Sequence, residues 1–430
     1  MIQEAFLYFL WKYQYFNIKN LTTTSGESVS VTSLGIRNGF AGPDFKEARV
    51  TIDGIQWAGA VEMHVRSSDW FRHGHQNDLN YENVVLHVVW EDDKAILLAD
   101  DTVIPTIEMK DRVKPEVLRR YRYMVESRSK IPCDESLKKV KAITRLSMVE
   151  RVLVARVQEK AAVFTQLLEG NEHDWEETAY QWLIKGFGFK TNAENMLALA
   201  ASLPLKVLQK HRNQAHQIEA LLFGQSGFLD VEIKDEYPAG LQKEYRFLKN
   251  KYGLKNKVHY NSWHFTKVRP GNYPTVRLAQ LAGLLTKFPH IFSFFSEISD
   301  FNTIMADLEV KQSAYWTKHY AVDKSSKRQI GVLSRATKEN LIINTTVPFL
   351  TAFAKARDNQ AFLEKALNLL TGIPAERNHI TELWQRHGWN VSSAFDSQGL
   401  IQLYNQYCTQ KRCIECSIGL ELIDKPNNLT

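Results

Sequence analysis

A chain of 430 residues is longer than one hydrophobic core usually serves, so two or more domains are expected. Its 44% hydrophobic and 24% charged residues are the proportions of a folded globular protein and exclude a disordered one. The net charge of +6 permits a nucleic-acid partner but, spread over so large a surface, does not require one.

The first predicted element is an aromatic-rich helix at about residues 3–16. It begins at Met1-Ile2-Gln3-Glu4 without the positive segment of a secretory signal and meets Lys12 before a long apolar run develops. No stretch approaches roughly 18 apolar residues, so the reading is a cytoplasmic protein with no membrane association. Up to about residue 110 the pattern is of strands parted by turn residues: Ser28 to Val31, Ala48 to Ile52, Ile55 to Val65, Val84 to Trp90, Ala95 to Leu98 and Val103 to Met109, with Asp53-Gly54 as a hairpin turn. From about 113 the periodicity becomes helical. Ser147 with Glu150 and Asp174 with Glu177 have capping-box spacing.

The fold class is therefore α+β. A mixed sheet with a leading helix (1–112) is followed by a basic linker (113–146) and a large, mostly helical domain (147–430). The linker holds Arg119, Arg120, Arg122, Lys138 and Lys139 beside Tyr121 and Tyr123. Such residues can grip phosphates and stack on bases, although a solvated helix face accounts for them as well.

Chemistry-bearing residues concentrate between Gly42 and His87. On a strand, Glu62, His64 and Arg66 share one face, and a hairpin turning at Asp53-Gly54 returns Glu62 toward Asp44. Two carboxylates brought together suit magnesium or manganese. A second set, His64, His73, His75 and Asp78, has the ligand types of a zinc site. Asp69 is a further acid near it, and His87, within an apolar strand, reads as a hydrogen-bonded core residue.

Pro43-Asp44 and Glu62-Met63-His64 after a leading helix resemble the core of the PD-(D/E)xK nucleases, in which two acids bind a metal and a lysine positions the attacking water. The resemblance implies Asp44 and Glu62 as ligands, Glu4 as an extra acid, and DNA or RNA as partner. His64 stands where that family has lysine, and an imidazole can act as a base near neutral pH. Glu108-Met109-Lys110 is a competing acid-x-Lys triplet. A zinc hydrolase built on the histidines, or a binding module that lost catalysis with its lysine, are the alternatives.

Cys408, Cys413 and Cys416 form C-x4-C-x2-C, and Cys133 is the one remaining cysteine. Four thiols are too few for a disulfide scaffold but make one tetrahedral zinc site or iron–sulfur cluster. An upstream cysteine with three near the carboxyl end resembles certain iron–sulfur nucleases, and Lys411-Arg412 resembles the basic loop of iron–sulfur DNA glycosylases. Arg269 and Arg277 flank a predicted helix start at Thr275, where an anion site can form, with packing as the plainer role.

Over nearly its whole length the chain resembles the bacterial family DUF2851. The resemblance rests on Gly42-Pro43-Asp44-Phe45, Trp57 to His64, Ser68-Asp69-Trp70, His73-Gly74-His75, Val84 to Trp90 and the cysteine cluster. That family carries no established activity.

Overall fold

The computed structural model describes residues 2–97, 102–255, 257–266 and 268–424. Two compact units emerge, Met1–Met148 with Leu403–Thr430, and Val149–Gln402.

The first unit is built on a six-stranded mixed sheet: β1 (Val29–Ser33), β2 (Ile36–Arg37), β3 (Phe45–Ile52), β4 (Ile55–Arg66), β5 (Val84–Glu91) and β6 (Thr106–Glu108). The order is β1-β3-β4-β5-β6, with β2 also on β3. β3 and β4 form the expected hairpin. Asp53 (φ 47°) and Gly54 (φ 82°) both take positive φ, as a two-residue turn matched to strand twist demands. β4, β5 and β6 then run parallel. Of the predicted strand at Ala95 to Leu98, only a single bridge between Leu97 and Val103 forms, and Leu98 lies outside the described residues.

One irregularity decides what faces what. At the turn end of the hairpin, Ile52 pairs with Ile55 and Ala48 with Gly59, but beyond that Phe45 pairs with Val61, one residue out of step. A β-bulge at Lys46 and Glu47 absorbs the extra residue, with Glu47 at φ 60°. The register beyond it sets Asp44 across from Glu62.

Helix α1 (Glu4–Tyr13) buries Phe6, Leu7, Phe9, Leu10 and Trp11, and packs on β4 and β5. Glu4 and Tyr8, four apart, share another face. A short helix, α2 (Asp69–Arg72), and two 3-10 turns connect β4 to β5.

The segment read as a basic linker carries a helix. Helix α3 (Pro115–Glu126) buries Val117, Tyr121 and Met124, a stripe at helical spacing that the surrounding arginines obscured. Tyr121 stacks on Phe6, centroids 4.1 Å apart, so it is not free to stack on bases. The terminal helix Ser417–Asp424 belongs to this same unit, whereas the sequence suggested a helical domain running to the end.

The second unit is helical around one core. Helix α4 (Ala142–Gly170) starts before Ser147, which therefore lies inside it and caps nothing. Asp174 does cap α5 (Trp175–Phe187), accepting from the Glu177 amide at 3.0 Å. Pro238-Ala239-Gly240 sits in the first turns of the helix Glu236–Tyr252, where a proline costs little. Thr275 likewise falls inside the helix Pro274–Lys287, its hydroxyl bonded to the Tyr320 carbonyl. Trp182, Phe223, Trp316 and Phe349 anchor the core. Among the described residues, no helix is long and apolar enough to cross a membrane.

Candidate carboxylate and histidine centre

Asp44 and Glu62 interlock. The Asp44 amide donates to Glu62 Oε2 at 3.0 Å, and the Met63 amide donates to Asp44 Oδ2 at 3.0 Å. The turn that delivers Asp44 is held by Asn38, whose Nδ2 donates to the carbonyls of Ala41 and Pro43, each at 3.1 Å. Tyr8 of α1 hydrogen-bonds Asp44, and Glu4 acts electrostatically on both acids. Arg37 lies over the Tyr8 ring, 4.8 Å from its centroid.

The other oxygen of Glu62 faces imidazoles. Oε1 is 3.4 Å from His75 Nε2 and 3.7 Å from His64 Nε2. His64, 1% exposed, is fixed at both nitrogens: Nδ1 lies 2.9 Å from His87 Nε2 and Nε2 lies 3.1 Å from His73 Nδ1. His75 stacks on Tyr81 with centroids 3.8 Å apart. One nitrogen from each of His64, His73 and His75 lies within 4.8 Å of the others. A metal at about 2.0–2.1 Å from each nitrogen would bring them within about 4.2 Å of one another, a small adjustment.

Burial sets the charge states. It pushes Asp44 and Glu62 up, and their mutual repulsion pushes Glu62 further, so in the absence of a cation the pair favours holding a proton. Burial pushes His64 down to about 2, helped by His87, His75 and His73, and His75 down to about 4. His87 is pushed down to about 3 by burial. All three are therefore neutral imidazoles near pH 7, the form that binds a metal or accepts a proton. A neutral His64 carries one proton. Placed on Nδ1, it is donated to His87 and leaves the Nε2 lone pair toward His73 and Glu62.

The remaining acids do other work. Asp69 accepts from the Arg66 amide at 3.2 Å and pairs with Arg72 at 3.1 Å, tying α2 to the end of β4. Asp78 caps the following turn, accepting from the Asn80 amide at 3.0 Å, and stands outside the imidazole group that the sequence had joined it to. In the competing triplet, Glu108 accepts from the Asp92 amide at 2.9 Å and Lys110 pairs with Glu91. Tyr8, Asn38 and Tyr81 were missed. Tyr8 alone left a signal, its four-residue spacing from Glu4.

A family model described as a protein of unknown function, DUF2851, matches residues 4–379. The chain belongs to the DUF2851 family. No curated protein and no solved structure matches it. The matched span of this DUF2851 chain contains the whole carboxylate and histidine centre, together with Cys133 and Arg277.

Two further sequence candidates are also placed. Cys133, Cys413 and Cys416 are buried and Cys408 half-buried, with no disulfide among them. Arg277 is 3% exposed. It donates to Gln280 at 2.8 Å, to Thr337 at 3.1 Å and to Asn272, with its guanidinium over Phe189. These are the contacts of a packing latch. Arg269 starts the short turn Pro270–Asn272 and is not among its partners.

Proposed function

We propose that the Asp44–Glu62–histidine centre binds a divalent metal and hydrolyses phosphodiester bonds, with DNA or RNA as the substrate class. The observation that carries this reading is the convergence of two interlocked carboxylates on neutral imidazoles: Glu62 gives one oxygen to the Asp44 backbone and the other to His75 and His64. The order of elements adds support. A leading helix, then an antiparallel hairpin with Pro43-Asp44 just before one strand and Glu62-Met63-His64 on the next, is the order implied by the resemblance to PD-(D/E)xK nucleases.

Asp44, Glu62 and His75 would hold the ion, magnesium or manganese, which when bound polarises a phosphoryl oxygen and acidifies water. His64 replaces the lysine of that family. Its surroundings keep it neutral and oppose its protonation, so its role is to position water through the Nε2 lone pair, and His87 fixes the ring so that this nitrogen faces the acids. The Tyr8 hydrogen bond orients Asp44 and favours its charged form, which the nearby carboxylate of Glu4 opposes.

A second reading, a zinc hydrolase, is favoured by the mutual proximity of His64, His73 and His75. Those imidazoles would then be the ligands and Glu62 the proton acceptor.

Cleavage of labelled single- and double-stranded DNA and RNA by the purified chain, with magnesium, manganese or zinc, tests both readings. Metal-dependent cleavage lost in Asp44→Ala and Glu62→Ala, with His73→Ala retaining activity, supports the first. Zinc-dependent hydrolysis lost in His73→Ala supports the second. Cleavage equal to the parent in all three variants would defeat both.

A further inference from the structure

The four cysteines are the only ones in the chain, and the first unit brings the turns that carry them into one neighbourhood. Cys133 immediately precedes the 3-10 turn Asp134–Lys139, and the terminal helix Ser417–Asp424 packs on that turn and on α3. Cys413 opens the turn Cys413–Glu415, which packs on α1, α3 and the terminal helix. Each of Cys133, Cys408 and Cys413 is electrostatically affected by its neighbours: Cys416 and Cys413 raise Cys133, while Cys416, Cys133 and Cys413 raise Cys408. No disulfide joins them.

The local backbone is shaped around this gathering. A side chain at Gly419 would bring its Cβ within 2.0 Å of the Cys413 carbonyl oxygen, so only glycine lets the terminal helix lie against the cysteine turn. Lys411, at φ 53° between Cys408 and Cys413, reverses the chain and reaches the Val125 carbonyl at 2.6 Å. Arg120 holds the Ile423 carbonyl at 2.9 Å, and the Lys141 amide donates to Glu421 at 3.0 Å.

Buried thiols that crowd one another gain little from packing alone, since a cysteine behaves as a small hydrophobe that any alanine or serine could replace at modest cost. Four of them brought into one neighbourhood from two distant parts of the chain supply instead the donor set that a thiolate metal centre would draw together, where ligand binding energy becomes folding energy.

We propose that Cys133, Cys408, Cys413 and Cys416 hold one thiophilic metal centre, a zinc ion or an iron–sulfur cluster, which clamps residues 403–424 onto α1 and α3. Binding replaces thiol protons by metal–sulfur bonds, with the protons released to solvent and no change in sulfur oxidation state. The clamp also reaches the carboxylate centre. α1 packs on the Cys413 turn and carries Tyr8, the hydrogen-bond partner of Asp44.

The test uses the full chain purified without oxygen, with elemental analysis, a visible spectrum and counting of thiols that react with an aromatic disulfide reagent. One zinc per chain, or iron with acid-labile sulfide and a visible absorption band, supports the centre and tells the two kinds apart. The four thiols should be protected in loaded protein and react after metal removal. Cys133→Ser should lose the metal and make residues 403–424 sensitive to protease, although the substitution lies outside that segment. Asp44→Ala, which disables the other centre, should keep the thiol-bound metal. Failure of the unmodified chain to take up zinc, or iron with sulfide, under reducing reconstitution overturns the proposal, and so does free reactivity of all four thiols in the loaded protein. Uptake and thiol protection are read on the unmodified chain, so they decide the matter even where Cys133→Ser folds poorly.

Discussion

Asp44 and Glu62 each have a carboxylate oxygen bonded to a main-chain amide of the opposite strand: Asp44 N to Glu62 Oε2 and Met63 N to Asp44 Oδ2, both 3.0 Å. These two amide bonds orient the acids, but they do not remove the repulsion of two buried carboxylates. The site thus stores instability that a cation relieves, as functional sites commonly do.

Asp44→Asn and Glu62→Gln should therefore make the metal-free protein more stable while weakening its response to metal. The expected gain is about 1–2 kcal/mol, read as a rise of about 2–4 °C in thermal midpoint per kcal/mol for a unit of this size. In the parent chain, manganese at about 100 times its dissociation constant should add about 2.7 kcal/mol. Most of that increment should vanish in either variant. Destabilised variants that keep the full manganese response would contradict this account.

The bulge at Lys46 and Glu47 decides whether the acids meet at all. Were the full strand to continue in the register seen near the turn, where Ala48 faces Gly59, Asp44 would stand across from Met63 and, because strand side chains alternate, would turn to the other face. Deleting Glu47 removes the extra residue instead, so Lys46 would face Ala60 and Asp44 would still face Glu62 in regular pairing. The expected outcome is a folded sheet that keeps its metal response, and loss of that response on deletion would count against this register. Glu47→Gly, which relieves the positive φ at an exposed position, should gain up to about 1 kcal/mol, and Glu47→Val should lose about 1–2 kcal/mol. Equal midpoints for the two substitutions would count against the bulge geometry.

The hairpin was legible because Asp53-Gly54 and the alternation of Glu62, His64 and Arg66 are local signals. Their meeting with Asp44 followed from chain reversal. The bulge left no such mark: one extra residue in a strand changes pairing without changing any pattern. Tyr8 was overlooked for a different reason: its spacing from Glu4 was its one mark, and an aromatic residue in a helix as apolar as α1 reads as core. In α3 the arginines hid the stripe of Val117, Tyr121 and Met124, and the segment read as linker. The four cysteines were countable, but their convergence depends on the terminal helix returning to the first unit, which no local pattern reports.

Tyr8 and His87 act on the centre from outside it, so their loss should weaken metal binding without abolishing the fold. Tyr8→Phe removes the hydroxyl that bonds Asp44, and His87→Gln disturbs the partner of His64 Nδ1. Partners of this kind are each worth about 10–100-fold in metal affinity. Isothermal titration with manganese should show losses in that range, and unchanged affinity in both variants would remove these residues from the centre.

Glu219 offers a test of the electrostatics in the helical unit. Its carboxylate is 2% exposed and one oxygen accepts from Tyr237 at 2.8 Å, Trp316 at 3.0 Å and Ser313 at 3.2 Å. Burial raises its pKa, and those three hydrogen bonds oppose the rise without cancelling it. In the window between the unfolded value of about 4.5 and the higher folded value, the native state holds a proton that the unfolded chain has released. Stability contributed by Glu219 is then fully present below about 4.5 and declines as pH rises through the folded value. Glu219→Gln cannot titrate, so the thermal midpoint of the parent should fall relative to that of the variant as pH is raised from about 4.5 toward 7. A difference between the two that stays flat across that range, or grows in favour of the parent, would show that the three donors outweigh desolvation at this carboxylate.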